Sequence, residues 1–305
     1  MSATDTTPTT DATAPAVARR PRFALVVEPR PHAALGTRVA TIAACLFVAL
    51  AGGALLLAVS GYAPLDVYGD IVETSFGSRQ AFSQTLVVTT PLILTSLAAA
   101  VAYRVRLYTV GADGQLVIGA ICASGVALAL GDDLGGLATI ALSLAAGVAG
   151  GALWASIAAV PRAYLGTNEI ISTLMLNFVA LNLMTYLVLG SRSFWRDPVS
   201  AQPIGRQVPE TALLPPFFDQ ADVGILLVVA VALGVWLLMQ RTRWGYAVRV
   251  AGDSRRAAVY AGIDVRRTIV AVLCLSGALA GLAGAIQVTN VTQALDPDAL
   301  NPGLG

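Results

Sequence analysis

RTRWGYAVRVAGDSRRAAVYAGIDVRR, running from Arg241 to Arg267, is the long polar island in the second half of an otherwise apolar chain. It holds seven arginines (241, 243, 249, 255, 256, 266 and 267) against two acids, Asp253 and Asp264. Apolar runs long enough to cross a bilayer flank it on both sides, so the island reads as a loop that leaves the membrane and returns to it. Its positive excess assigns it to the cytoplasmic side, where Lys- and Arg-rich loops are retained during insertion. A cytoplasmic loop with its own helix, in a chain with little else outside the membrane, is the expected place for a partner contact.

The rest of the composition agrees. Of 305 residues 56% are hydrophobic and 12% charged, against about 25% charged in a soluble domain. That places the chain among all-α polytopic membrane proteins. The net charge of +1 carries little weight, because the charges are sorted by side. All 19 basic residues are arginine. Cys45, Cys122 and Cys274 stand singly within apolar runs and read as small hydrophobes. His32, the only histidine, lies in a Pro- and Arg-rich tail, so neither a zinc site nor a His-based triad is available. No GxxxxGK[ST], HExxH or GxSxG segment occurs, which removes P-loop ATP binding and the commonest hydrolase chemistries. The chain is therefore expected to be no enzyme, with no metal, no cofactor and no nucleic-acid partner.

Residues 1–38 form a Thr-, Ala- and Pro-rich segment carrying Arg19, Arg20, Arg22, Arg30 and Arg38. It buries too little apolar surface to order itself and is expected to be a disordered cytoplasmic tail. Residues 39–305 form the membrane domain. Candidate spans are Val39–Ser60, Phe82–Tyr103, Val110–Leu130, Leu134–Val160, Ile170–Leu189, Val223–Met239 and Thr268–Val288, each about the length the hydrocarbon core requires. With the N-terminus inside, Arg104, Arg106, Arg162 and the island arginines all fall inside with the tail. Only Arg79, Arg192, Arg196 and Arg206 fall outside, as the positive-inside bias demands. The acids Asp66, Asp70, Glu73, Asp132, Asp133, Asp197, Glu210, Asp219 and Asp222 lie on the outer side. The expected location is a bacterial cell membrane. Residues 191–222, with five prolines and Phe194, Trp195, Phe217 and Phe218, form the largest extracytoplasmic loop. This loop is either a docking surface for an external partner or an interfacial connector with an aromatic belt. The chain ends on DPDALNPGLG directly after an outward-directed span, and further C-terminal spans are expected.

Polar groups within spans are costly unless paired or facing a cavity. Asp113 and Gln115 open the third span, and Glu169, Thr173 and Asn177 recur every four residues on one face of the fifth. This stripe either bonds neighbouring helices together or, with amides elsewhere such as Gln84, lines a translocation path. Gly147 and Gly151 in the fourth span, and Gly277, Gly281 and Gly284 in the last, have the small-residue spacing that lets helix backbones approach closely. Pro91 within the second span predicts a kink or a broken helix. Mid-span charged pairs of the kind ion-coupled carriers use are missing.

Three blocks carry a family resemblance. YRVRLYTVGADGQLVIGA (Tyr103–Ala120), GTNEIISTLMLNFVALNL (Gly166–Leu183) and GYAVRVAGDSRRAAVYAGIDVRRTI with the LSGALAGLAGAI that follows (Gly245–Ile286) resemble segments of ABC importer permeases for nucleosides and simple sugars. That family is related to the branched-chain amino-acid permeases. The likeness runs from about residue 40 to the end. Thr109 and Asp113 replace the family's usual Asn and Glu with residues of similar polarity, and Arg256 replaces the Glu of its Glu-Ala-Ala pattern.

The resemblance implies alternating access driven by a separate ABC ATPase subunit. It also implies a second homologous permease, an extracytoplasmic substrate-binding lipoprotein and a lipid surround. It assigns ATPase coupling to Asp253, Arg256, Ala257, Ala258 and Gly262, on a short helix that Gly262 ends. The expected solute is a nucleoside. A simple sugar or a branched-chain amino acid is the alternative within the class, and an ATP-independent channel or ion-coupled carrier the alternative outside it.

Overall fold

The computed structural model describes residues 35–131, 135–190, 193–197, 204–218, 221–297 and 299–300. Most of the expected N-terminal tail, including His32, lies outside these residues, as do Asp132, Asp133, Asp219 and the last five positions. The chain divides into two compact units, Met1–Val67 and Tyr68–Gly305.

The first unit contains α1 (Leu35–Val59), a span in which no residue of Val39–Val59 is buried. α2 (Pro64–Phe76) straddles the division. This helix is not among the expected elements, because Asp66, Asp70 and Glu73 interrupt its apolar residues and it is too short to cross a bilayer.

The second unit is a bundle of α3 (Arg79–Tyr103), α4 (Ala112–Leu130), α5 (Gly136–Leu165), α6 (Glu169–Leu189), α7 (Gly224–Arg241), α8 (Arg243–Asp253), α9 (Arg255–Tyr260) and α10 (Val265–Ile286). Counting α1, seven helices among the described residues are long and apolar enough to span a membrane. The fold is an all-α polytopic membrane bundle, and the seven expected spans each fall on one of these helices. Among the described residues the long loop before α7 adds a small antiparallel hairpin, β1 (Pro216–Phe218) and β2 (Ala221–Asp222), and an isolated antiparallel bridge between Arg196 and Gly205.

Proline ends neither of two spans. α3 runs unbroken through Pro91, which is buried. There the Thr95 hydroxyl donates to the Pro91 carbonyl at 3.1 Å. α5 continues past Pro161 to Leu165 rather than stopping at Val160. A span packed on neighbours tolerates the single lost amide bond.

α10 is the axis of the unit. Its residues from Ser276 to Ile286 are buried almost without interruption, and it packs against α3, α4 and α5. The glycines make this possible. A methyl group on Gly281 would strike the Gly147 carbonyl and come within 2.9 Å of the Gly151 Cα. One on Gly284 would strike the Leu116 carbonyl of α4, and one on Gly119 would strike Gly281. Backbone therefore meets backbone at a three-helix junction of α4, α5 and α10. Among lipid tails no hydrophobic drive separates helix from solvent, and such close approach supplies the van der Waals contact that holds spans together. Beyond Ile286 the helix closes with a π-helical turn over Gln287–Val291, in which the Thr292 amide donates to the Gln287 carbonyl at 2.9 Å.

Candidate functional site

At the end of the bundle that carries the arginine island, short capped elements follow one another. Thr242 caps α8 by accepting from the Gly245 amide at 3.0 Å, and Ser254 caps α9 by accepting from the Ala257 amide at 3.3 Å. α9 ends in a doubly bonded turn. The Ile263 amide donates to the Ala258 carbonyl (2.9 Å) and the Gly262 amide to the Val259 carbonyl (3.0 Å). Gly262 sits at φ +73°, a left-handed conformation that glycine adopts without a Cβ penalty. Asp264 then caps α10, accepting from the Arg267 amide at 3.1 Å.

Of the expected coupling residues, Ala258 is fully buried, so it seats α9 on the bundle. Asp253, Arg256, Ala257 and Gly262 are exposed. The outward apolar contribution comes from two residues that the sequence pattern does not single out, Val259 (63% exposed) and Tyr260 (92% exposed).

α8 rests on the turn between α3 and α4. A methyl on Gly252 would strike the Arg104 carbonyl, and Asp253 lies 3.9 Å from Arg106 in an exposed ion pair. The same turn receives the polar stripe of α6. Asn177 Nδ2 donates to the Val110 carbonyl (2.6 Å) and its Oδ1 accepts from the Gly114 amide (2.9 Å). The Val110 amide donates to Thr173 Oγ1 at 3.4 Å. Glu169, at the foot of the stripe, pairs with Arg162 of α5 at 3.1 Å, with its side chain only 10% exposed. Asp113 lies within the first turn of α4. Gln115 is buried beside it with its Oε1 unpartnered. The structure thus brings Gln115, Glu169, Thr173 and Asn177 together as a buried junction joining α4, α5 and α6.

A cavity lies at the opposite end, away from these five residues. It measures about 630 Å³, and its polar lining is Gln84 of α3, Glu210, and Thr289, Asn290 and Gln293 in and after the π-turn. Of these only Gln84 is suggested by the sequence, as an amide that could line a path. The others sit in segments whose folding back onto the bundle has no periodic signature.

The long loop before α7 forms one wall of this cavity. It is laced to the end of α10, with the amides of Gly205, Val208 and Leu214 donating to the carbonyls of Leu295, Gln293 and Thr289 at 2.8, 2.8 and 3.4 Å. Trp195 Nε1 donates to Ser124 Oγ of α4 at 3.2 Å, and Thr211 Oγ1 donates to the Gly131 carbonyl at 2.6 Å. The described parts of the loop therefore cap the bundle rather than project from it.

Comparison with known proteins follows this architecture. A family model described as "Branched-chain amino acid transport system / permease component" matches residues 81–301. The guanosine ABC transporter permease protein NupP of Bacillus subtilis is 31% identical over 248 residues, covering 79% of this chain and 69% of the relative. The glucose ABC transporter permease protein TsgB13 of Haloferax volcanii is 33% identical over 282 residues, 89% of this chain and 72% of the relative. The nucleoside ABC transporter permease protein NupB of Lactococcus lactis is 32% identical over 241 residues, 77% of this chain and 66% of the relative. No solved structure matches the chain. The match spans every helix from α3 to α10, and the chain belongs to the family of branched-chain amino acid transport system permease components.

Proposed function

We propose that the chain is the membrane permease subunit of an ATP-driven importer, that its solute is a nucleoside, and that α9 receives the stroke of a separate ATPase. The carrying observation is the shape of the arginine loop. It presents a six-residue helix, capped at both ends, whose Val259 and Tyr260 face outward from a bundle with no nucleotide-binding loop of its own. An exposed tyrosine on the same short helix as Arg255 and Arg256 has the composition of an interface anchor. In this reading the arginine end is cytoplasmic, the capped end faces outward, a second homologous permease completes the path and an extracytoplasmic lipoprotein delivers solute. Nucleoside transport is supported by the names of the guanosine and nucleoside permeases among the relatives. The glucose permease relative favours simple sugars as the second reading.

The test is uptake by the complete complex in vesicles, with labelled guanosine against glucose. ATP-dependent guanosine accumulation is expected, and its absence alongside glucose uptake replaces the first reading with the second. Tyr260→Asp tests the coupling role. Because Tyr260 is 92% exposed, the bundle is expected to fold normally while ATP hydrolysis no longer drives uptake; unchanged coupled transport would refute docking through α9.

A further inference from the structure

At the end away from the arginine loop, the cavity of about 630 Å³ adjoins an open groove of about 670 Å³. The two share Gln84, and the groove adds Asp70 and Glu73 of α2. The cavity is in the size range of small-molecule sites, roughly 300–1,000 Å³. Every polar side chain in both walls is an amide, a hydroxyl or a carboxylate, and neither wall contains a basic residue. Gln84, Asn290 and Gln293 each offer donors and acceptors, and Glu210 offers acceptors only. Val87, also in the cavity wall, is the residue whose helical amide partner is replaced by Pro91, which has no N–H to give its carbonyl. Such a lining can satisfy hydroxyl and amide groups of a neutral solute from several sides. Among the described residues that line the two walls the charged groups are Asp70, Glu73 and Glu210, so an anionic group brought beside them meets like charge.

We infer that this cavity is the entry pocket for the transported solute, that it takes an uncharged solute rich in hydroxyl and amide groups, and that it rejects the phosphorylated form of the same solute. The inference rests on the permease reading above, which sets which end faces outward. Glu210 is the specificity-determining residue, since it stands inside the cavity whereas Asp70 and Glu73 stand in the groove leading to it.

The experiment introduces Asn290→Cys, and separately Gln84→Cys, into the full chain with Cys45, Cys122 and Cys274 replaced by serine. The chain is assembled with its ATPase in membrane vesicles. A membrane-impermeant maleimide applied from the outer face is expected to label either cysteine. Millimolar guanosine is expected to slow labelling at least threefold, and guanosine 5′-monophosphate at the same concentration to leave it unchanged. Adding Glu210→Arg is expected to make the monophosphate protective. Equal protection by both solutes, or by neither, overturns the pocket assignment. Monophosphate protection that is no greater with Glu210→Arg overturns the role of Glu210. Labelling only from the ATPase side overturns the orientation, and with it the entry role. The permease reading itself is judged separately by ATP-driven uptake in the same vesicles, so its failure is not confused with failure of the pocket.

Discussion

Asn177 of α6 grips the backbone on either side of Gly111, donating to the Val110 carbonyl at 2.6 Å and accepting from the Gly114 amide at 2.9 Å. The residue is 6% exposed and Gly114 is buried, so the Gly114 amide has no water to fall back on, whereas Val110 is 36% exposed. Asn177→Leu removes both bonds and leaves the Gly114 amide as a buried unsatisfied donor, a loss of about 1–3 kcal/mol, with a smaller loss at the Val110 carbonyl. Asn177→Asp keeps the acceptor for Gly114 but turns an oxygen toward the Val110 carbonyl, and is expected to destabilise as well. Thermal unfolding of the purified subunit in detergent checks both. Asn177→Ser, which can satisfy one group, is expected to fall between wild type and Leu.

Arg162 and Glu169 join the end of α5 to the start of α6 at 3.1 Å, and Arg162 Nη1 also donates to the Thr167 carbonyl at 3.0 Å. Removing one partner leaves the other's charge partly desolvated, which costs more than removing both. Arg162→Ala is therefore expected to be more destabilising than Arg162→Ala combined with Glu169→Ala. A double-mutant cycle on unfolding free energy is expected to give a coupling of about 1–3 kcal/mol. A coupling indistinguishable from zero would mean that the pair contributes only geometry.

Much of this architecture is legible in the sequence, for a physical reason: each span must satisfy its own backbone in lipid, so helices are announced by length and apolarity alone. The seven expected spans and the small-residue meeting of α5 and α10 follow from local residue choice. The short helix ended by Gly262 follows as well, because Ser254 is a local start signal and Gly262 a local stop signal. What is not legible depends on tertiary return. Whether Glu169, Thr173 and Asn177 face a path or a neighbour is decided by where the turn at Val110 lies, some 63 to 67 residues away in sequence. The cavity needs the loop at Glu210 to fold against Thr289, and no periodicity encodes that contact. α2 escapes a sequence-based reading because its length and its acids resemble a connector, and the continuity of α3 through the buried Pro91 cannot be read locally.

The glycine junction supplies a test in which the sign depends on surroundings rather than on residue type. Gly234 lies in α7, and a methyl group added there would have nothing within 4 Å. Gly234→Ala therefore gains helix propensity and is expected to be neutral or to stabilise by up to about 1 kcal/mol. Gly281→Ala places the same methyl against the Gly147 carbonyl and the Gly151 backbone. Backbone cannot rotate aside as a side chain can, so overpacking of about 1–3 kcal/mol is expected. Unfolding midpoints for the two variants should move in opposite directions, or at least differ by that amount.

Gly262 offers the last test, because it separates the integrity of the bundle from the work of the loop. At φ +73° with open space around its Cβ position, a substitution there meets no atom and suffers only backbone strain. For an L-residue in the left-handed region that strain is about 1–2 kcal/mol, smaller for Asn and larger for β-branched side chains. The strain falls on the turn that ends α9, where the Ile263 and Gly262 amides close on Ala258 and Val259, and not on the buried spans. Gly262→Asn, Gly262→Ala and Gly262→Val are therefore expected to leave the unfolding midpoint of the subunit nearly unchanged. Uptake per ATP hydrolysed is expected to fall progressively in that order, measured in vesicles containing the complete complex. Equal coupling in Gly262→Val and wild type would show that α9 does not need its left-handed stop to engage a motor.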